Sequence, residues 1–510
     1  MDTSWAGGGR SNQNWLVRVR ISLAASGTNY YVALNGLDAN PGTLATPFLT
    51  LERARNAVRT NGVPNGGVSV WVRGGIYQRT NTFDLTTVDS GRPGSPVVYR
   101  SYPGETPVFT TGTPVSSNSF TVLNSNLWSR VMPGVTASNI LELDLLAAGI
   151  VNKGPFPTEY SRCPIVNPFS AGNDGGLCEL YFNGTRQRIS RYPNNNPTNR
   201  WLTPYMKMNG VIFKTGTNFN GTNIGGMFKY NTSDESHISR WLAAAAETNL
   251  WIQGFWRVPW ESEGERVLLI DTVSNTIATA SGATPGSTGF GNKYSGADGS
   301  YNEPYWALNL LEEIDQPGEW AIDFFRQKLY LLPPGPVTNG AVVIADRAVP
   351  VIRSTSANNV VFSGLTFDLA LERGIALSSA TNDLVLGCTF RNLGSFAVDI
   401  NGGVSNGVVS CEMTQLAAGG VYVQGGSETS PRVSCNHFVV NNNITDFAQV
   451  VPVYAAAVDA GFGGMAGGGG GGGHKVCVGT RIAHNRIKGT PHGPVIRGSF
   501  DKVFEYNWIE

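Results

Sequence analysis

Three residues suited to binding hydroxyl-rich substrates recur at matching places in a repeated pattern. Asp399 lies between Val398 and Ile400, Tyr422 takes the equivalent place 23 residues later, and Asp459 lies in a similar short segment. If these segments are stacked strands, the three side chains point outward and line one side of a groove, about 4.8 Å apart from turn to turn. The alternative is that outward acids only keep a solvated strand soluble.

A second group of polar residues lies near the end of the sequence. His484 and His492 flank one turn of the repeat, and Glu505 follows in the next turn. A zinc site needs three or four ligands in a tighter set. We therefore expect these residues to anchor a substrate and predict no metal site, while the catalytic residues are not identified by the pattern.

The element that must position these residues is a repeat of 23 residues. Its copies are Gly364-Leu365-Thr366-Phe367, Gly387-Cys388-Thr389-Phe390 and Ser410-Cys411-Glu412-Met413. Apolar and polar residues alternate around each copy, and Gly and Asn lie at the breaks. This pattern predicts an all-β right-handed parallel β-helix, a solenoid in which each turn buries the apolar residues of its neighbours.

Four segments are predicted along the chain. Residues 1–27 form a leader of unclear role, residues 28–112 an N-terminal cap with the first coil turns, residues 113–345 an inserted domain, and residues 346–510 the remaining turns. Within the cap, residues 51–58 have the apolar spacing of a short helix, and Thr50 is placed to cap its first turn. The apolar side of this helix is expected to close the open end of the coil.

The predicted insertion lacks the 23-residue period and is rich in tryptophan. It holds eight of the twelve Trp residues, at positions 128, 201, 241, 251, 256, 260, 306 and 320. We predict a β-sandwich-like domain packed beside the coil. Two roles are open for these aromatic rings. They fill the core of the domain and its contact with the coil, or they stack on sugar rings of a substrate.

Composition restricts the partners of the chain. Lys plus Arg and Asp plus Glu are equal at 37 each, and charged residues make up 15% of the sequence. Such a balanced chain is not expected to bind nucleic acid or an anionic membrane. No apolar run reaches the roughly 18 residues of a membrane span, and no signal peptide is visible at the start. We expect a monomer.

The six cysteines allow more than one interpretation. Cys388 and Cys411 fall at equivalent inward positions of adjacent turns, which favours buried thiols over a disulfide. Cys163 and Cys178 could pair across a loop, but their spacing does not decide it.

Segments inside and outside the repeat resemble glycoside hydrolase family 141 and its β-helix relatives. They are residues 177–184, 190–194, 251–256, 270–272, 315–320, 329–334, 483–487, 490–492 and 505–507. The resemblance implies a carbohydrate-active protein whose partner is a polysaccharide or oligosaccharide. Activities in that family include hydrolysis of fucosyl linkages in pectic glycans and of xylan, and an extracellular location is expected from such a function.

The resemblance also bears on catalysis. Relatives continue past the segment that matches residues 505–507 into further turns with acidic residues, the proposed catalytic pair. Because glycosidases need two carboxyl groups, we expect that pair to lie beyond Glu510 and the present chain to be a truncated, inactive fragment.

Two other functions stay open. A polysaccharide lyase acting on uronate polymers would use Lys or Arg as a base and calcium as a cofactor. The coil offers Arg373, Arg391 and Lys488 as bases but no compact acidic cluster, so no cofactor is predicted outside the lyase alternative. The third possibility is a non-catalytic glycan-binding or structural β-helix.

Overall fold

The computed structural model describes residues 27–150, 178–196, 203–214, 216–258, 261–280, 290, 302–450, 455–460, 476–489, 495–498 and 500–510. Over these residues the chain is all-β and is built on a parallel β-helix, as the repeat predicts. Three parallel sheets run along the coil, and a turn of the coil contributes one strand to each of them.

The strands of the three coil sheets have the following bounds. The first sheet contains Thr28–Val32, Val68–Val72, Val97–Ser101, Val360–Ser363, Leu384–Leu386, Gly407–Val409, Phe438–Val440, Arg481–Ala483 and Val503–Glu505. The second contains Gly75–Gln78, Pro107–Thr110, Thr366–Ala370, Thr389–Leu393, Glu412–Thr414, Asn443–Thr445, Arg486–Lys488 and Trp508–Ile509. The third contains Phe83–Leu85, Ile352–Thr355, Ile375–Ser378, Val398–Asn401, Val421–Gln424, Val458–Ala460 and Ile496–Gly498.

Apolar side chains of successive turns stack inside the coil. Leu365, Cys388 and Cys411 take equivalent places, and backbone N–H groups of the following turns donate to the carbonyl groups of Leu365 and Cys388 at 2.9 and 3.0 Å. The rings of Phe367 and Phe390 stack in a neighbouring column with centroids 4.9 Å apart. All five residues are at most 1% exposed. The predicted stacking is confirmed, and it supplies the burial that a single turn lacks.

A ladder of asparagines ties three turns together along the coil axis. Asn485 Oδ1 accepts from the Asn442 backbone N–H at 3.0 Å and from its side chain at 2.9 Å. Asn507 Oδ1 accepts from the two equivalent groups of Asn485 at the same distances. Since buried polar groups must be paired, these amides let the chain turn without orphaned donors.

A second ladder of hydrogen bonds has an aspartate, Asp383, in one turn and an asparagine, Asn406, at the equivalent place in the next turn. Asp383 Oδ1 accepts from the Val360 N–H and its Oδ2 from the Ser354 hydroxyl, both at 2.9 Å. Asn406 Oδ1 accepts from the Asp383 N–H at 3.0 Å. Burial raises the pKa of Asp383 to about 7, so the folded coil favours the protonated acid.

Stability is therefore expected to fall as pH rises through this range. The unfolded carboxyl has a pKa of about 3.9, so the folded state binds more protons between pH of about 4 and about 7 and loses stability across that window. Asp383→Asn, which copies Asn406, should remove this loss and leave the variant the more stable at pH 8. Urea unfolding at pH 4.5 and pH 8 measures the free energy of unfolding of the unmodified protein and of the variant. The same pH dependence in both would contradict a raised pKa for Asp383.

The predicted cap helix is present and longer than expected. It spans Leu51–Asn61 and begins where Thr50 Oγ1 accepts from the Arg53 N–H at 3.1 Å. Its buried residues Leu51, Ala54, Ala57 and Val58 belong to the same apolar cluster as the coil core. The helix thus covers the first turn, as the sequence predicts.

Strands between Thr113 and Ala345 pair with one another and not with the coil. One sheet contains Thr185–Arg186, Glu179–Phe182, Val342–Ala345 and Thr113–Val115, and a second contains Arg188–Ile189, Glu319–Asp323, Lys328–Leu331, Leu141–Asp144 and Phe120–Val122. The third contains Arg191–Tyr192, Pro304–Leu308, Met206–Phe213, Thr217–Phe219, Thr222–Tyr230, Thr276–Ala280, Glu261–Asp271 and Trp251–Val258. Because Pro304–Leu308 pairs with both Met206–Phe213 and Trp251–Val258, this sheet closes on itself. The division of the chain at residues 112 and 345 stays a prediction.

Short helices connect these strands. Two α-helices span Glu235–Ile238 and Leu242–Ala246, and 3₁₀ helices span Thr87–Asp89, Ser117–Ser119, Ser125–Arg130, Ala137–Asn139, Thr232–Asp234, Ser239–Trp241 and Leu311–Glu313. In the described ranges, no helix combines the length and the apolar character needed to cross a bilayer.

Most described tryptophans of the inserted region fill its cores. Trp241, Trp256 and Trp320 are at most 2% exposed, Trp251 and Trp306 are at most 9% exposed, and Trp128 is 46% exposed. This favours packing over a broad platform for sugars. Trp201 and Trp260 lie outside the described residues, as do the leader and Cys163, whose pairing with Cys178 stays untested. Cys388 and Cys411 are buried thiols, as predicted.

Candidate functional site

The row of outward residues predicted from the repeat is in register on the third coil sheet. Asp399 is paired with Tyr422, and Tyr422 with Asp459, on three successive strands. The flanking residues Val398 and Ile400 belong to the coil core. The three side chains therefore lie on the outer side of this sheet, separated from the core by the backbone.

The row is not an open groove wall, and this part of the prediction is wrong. Tyr422 is 6% exposed and Asp459 is fully buried, while the Asp399 side chain is 16% exposed. Tyr422 packs with Phe396 and Ala418 in a small apolar cluster outside the coil, with the Phe396 ring 5.5 Å from the Tyr422 ring. Residues of the connecting turns fold over the sheet, so Asp459 does not fit the interpretation of a solubilising acid.

Arg373 joins the exposed end of this row to a further carboxylate. Its Nε lies 3.1 Å from Asp399 Oδ2, and its Nη1 lies 2.6 Å from Glu372 Oε2. Burial lowers the pKa of Arg373, but the charges of Glu372 and Asp399 outweigh it and raise that pKa overall. A permanently charged guanidinium thus lies between the two acidic side chains.

The inserted region is anchored on the coil close to this network. The Tyr181 hydroxyl donates to the Asn392 carbonyl at 2.8 Å, and Arg186 donates to the carbonyl groups of Leu393 and Gln415 at 2.9 and 2.8 Å. Leu371, just before Glu372, is buried in the main apolar cluster of the inserted region. The turn that carries Glu372 and Arg373 is therefore held by both parts of the chain.

The second predicted group does not join the first. His484 lies at the corner between the first and second coil sheets, and its ring stacks on Tyr506 at 5.0 Å. The Glu505 carboxylate binds Arg481 at 2.5 Å, and the Glu505 carbonyl accepts from the His484 N–H at 3.1 Å. His492 lies outside the described residues. The role of these residues as a group that anchors substrate stays a prediction.

Two features of the site lie beyond the row taken from the repeat. Glu372 was missed because it falls in a connecting turn, where the 23-residue period carries no alternation. Arg373 was noticed only as a possible lyase base. Within the described ranges, no three His, Cys, Asp or Glu side chains are grouped as metal ligands would be.

Comparisons with known proteins are consistent with this architecture. No protein-family model matches the chain. An uncharacterized protein, YwoF of Bacillus subtilis (strain 168), is 35% identical over 88 residues, which is 17% of this chain and 17% of YwoF. The chain thus matches well under two thirds of that relative.

Similarity to solved structures extends over a larger share of the chain. A structure described as a glycoside hydrolase matches with a TM-score of 0.63 and 16% identity over 91% of this chain and 78% of that one. A GH136 lacto-N-biosidase from Eubacterium ramulus matches with a TM-score of 0.35 and 8% identity over 94% and 56% of the two chains. At such identities the likeness is one of fold, and only the first score is high enough to support that.

Proposed function

We propose that this protein is a glycoside hydrolase that acts on a polysaccharide, with Asp399 and Asp459 as its paired carboxyl groups in place of the pair that the sequence resemblance puts beyond Glu510. The observation that carries the proposal is the stacked row of acid, phenol and acid on one outer sheet, with Arg373 at its exposed end. The glycoside hydrolase of similar fold supports it.

The two carboxyl groups have different surroundings, which suits different roles. Asp399 lies beside the guanidinium of Arg373 and keeps some contact with solvent, its side chain being 16% exposed, as a base that activates a water requires. Asp459 is fully buried, and paired glycosidase carboxyl groups take the acid and the base role through such contrasts in environment. Asp399 is therefore assigned as the base and Asp459 as the acid. Because the row is covered in this structure, the assignment requires the covering side chains, Phe396 among them, to move aside when the glycan binds.

The spacing of the pair indicates the stereochemistry. Tyr422 occupies the strand between them, so the two acids are two strands, about 9.6 Å, apart along the coil. Inverting enzymes keep their carboxyl groups about 6.5 to 9.5 Å apart to admit a water, whereas retaining enzymes keep about 5 Å. The backbone spacing of the two acids is close to the upper end of the first range and far from the second, so we propose inversion.

The substrate class is proposed from the sequence resemblance. Fucosylated pectic glycans or xylan of plant or algal cell walls are the first candidate substrates. Because these polysaccharides are too large to enter a cell, we propose that the protein is an extracellular monomer. That the protein belongs to glycoside hydrolase family 141 is likewise a proposal that rests on this resemblance.

Lyase chemistry is disfavoured by the state of two of the three candidate bases, Arg373 and Arg391. Arg373 has its pKa raised by Glu372 and Asp399, so it stays protonated and cannot abstract a proton. Arg391 binds Asp368 at 2.7 Å. The base that a lyase requires is therefore not supplied by either arginine.

One experiment separates these functions. The protein is incubated with xylan and with pectic side chains, with and without a calcium chelator, and new reducing ends are followed by proton NMR. Hydrolysis with inversion at the anomeric carbon is the expected result. Unsaturated uronate products that vanish with chelator would support a lyase, and retention of glycan without turnover would support a binding protein.

A further inference from the structure

Arg191 is a buried cation with few partners. The residue is 6% exposed, its Nη1 donates to Asn195 Oδ1 at 2.6 Å, and its Nη2 reaches the Pro204 carbonyl at 3.4 Å. Its Nε has no acceptor in the described part of the chain, where no carboxylate lies within ion-pair distance of it. By contrast, the buried Arg186 is paired with Glu179 at 2.6 Å.

Such an arrangement is costly without a further partner. Burial lowers the pKa of Arg191 to about 10, so the guanidinium still carries its charge at neutral pH. A buried charge without a counter-ion costs several kcal/mol. The rings of Tyr205 and Trp306, whose centroids lie 5.2 and 4.8 Å from the guanidinium carbon, offset part of that cost.

The aromatic side of this site reaches the surface. Tyr205 is 41% exposed, and its ring lies 5.3 Å from Trp306 and 6.2 Å from Phe255. Exposed aromatic faces suit the apolar C–H faces of a pyranose. The Asn195 amide beside them can bond to a hydroxyl group.

We propose that Arg191, Asn195 and Tyr205 form a subsite for an acidic sugar, with the guanidinium binding the carboxylate of a uronate residue. An arginine offers five N–H donors, two of which can bind a carboxylate in parallel, and Asn195 and the Pro204 carbonyl each accept from one of the five in Arg191. The inference rests on the proposed function for the saccharide class, and it adds that the substrate carries negative charge.

The subsite adjoins the part of the chain that meets the coil. Trp306 belongs to the same buried cluster as Leu371, the residue that precedes Glu372. A bound uronate would thus contact the inserted region while the polysaccharide continues toward the coil.

Binding to polygalacturonate and to its carboxyl-reduced, neutral form tests the proposal. In affinity electrophoresis the protein should bind the acidic polymer about tenfold more tightly, since one charge-assisted pair is worth about 1.4 kcal/mol. Arg191→Gln should abolish that preference. Arg188→Gln, at an exposed residue of the same segment, is the matched control and should keep it.

Thermal unfolding distinguishes a binding role from a structural one. Removing an uncompensated buried charge should leave the melting temperature of Arg191→Gln unchanged or higher. If that variant does not fold, Tyr205→Ala, at an exposed ring, should weaken binding of the acidic polymer about tenfold. Equal binding of both polymers by the unmodified protein, or full binding by Tyr205→Ala, would overturn the subsite.

Failure of this inference is separable from failure of the proposed function. Binding needs no turnover, so Asp399→Asn should still prefer the acidic polymer. Turnover of a neutral polysaccharide without preference for the acidic one would remove the subsite and keep the hydrolase.

Discussion

Asp399→Asn and Asp459→Asn are each expected to lower kcat about 10²- to 10⁴-fold, because each removes one partner of the acid–base pair. The asparagine is nearly isosteric, so the coil should keep its fold. The measurement is initial rates of reducing-end release on the polysaccharide that the unmodified protein turns over, with circular dichroism as the check on folding.

The control for these variants is Asp501→Asn. Asp501 lies on the same coil with its side chain 54% exposed, and its carboxylate pairs with the exposed Arg432 at 3.2 Å. Such surface pairs contribute at most about 1 kcal/mol, so this variant should keep full activity. Undiminished turnover by Asp399→Asn or Asp459→Asn would place the catalytic carboxyl groups elsewhere.

Phe390→Ala should destabilise the coil by about 3 to 5 kcal/mol, the cost of deleting a buried aromatic ring and leaving a cavity. Phe390 is fully buried and stacks on Phe367 with ring planes 7° apart. The loss arises in two turns at once, because the ring packs against the turns before and after its own. Urea-induced unfolding followed by fluorescence measures it.

The neighbouring residue of the same strand gives a matched control. Arg391 points to the opposite side, where its half-exposed side chain binds Asp368 at 2.7 Å. Because Asp368 is buried, the control keeps the positive charge beside it, and Arg391→Lys should cost no more than about 1 kcal/mol. Comparable losses for the two variants would mean that the inward column does not carry the stability of the coil.

The parts of the fold that the sequence predicts are those set by short-range alternation. Leu365, Cys388 and Cys411 could be placed in one column because a slip by one residue would turn each strand inside out. The same rule placed Asp399 and Tyr422 side by side. It extended to Asp459, 37 residues further on, because Val458 and Ala460 keep the apolar flanks.

What could not be predicted depends on contacts between distant segments. Glu179–Phe182 pairs with Val342–Ala345 across about 160 residues, and no local pattern specifies that partner. The cover over the outer row comes from Phe396 and Ala418, which lie in turns whose path alternation does not determine. The Arg373 bridge to Asp399 joins two turns of the coil in the same way, and so does the site around Arg191.

The assignment of Asp399 and Asp459 as the catalytic pair is tested by a crystal structure of Asp399→Asn soaked with an oligosaccharide of the hydrolysed polysaccharide. We expect the side chains that cover the row to have moved aside, and density for a sugar ring over the row, with a glycosidic oxygen within hydrogen-bond distance of Asp459 and a ring hydroxyl near residue 399. Density for the sugar at another face of the coil, with this row still covered by Phe396, would contradict it.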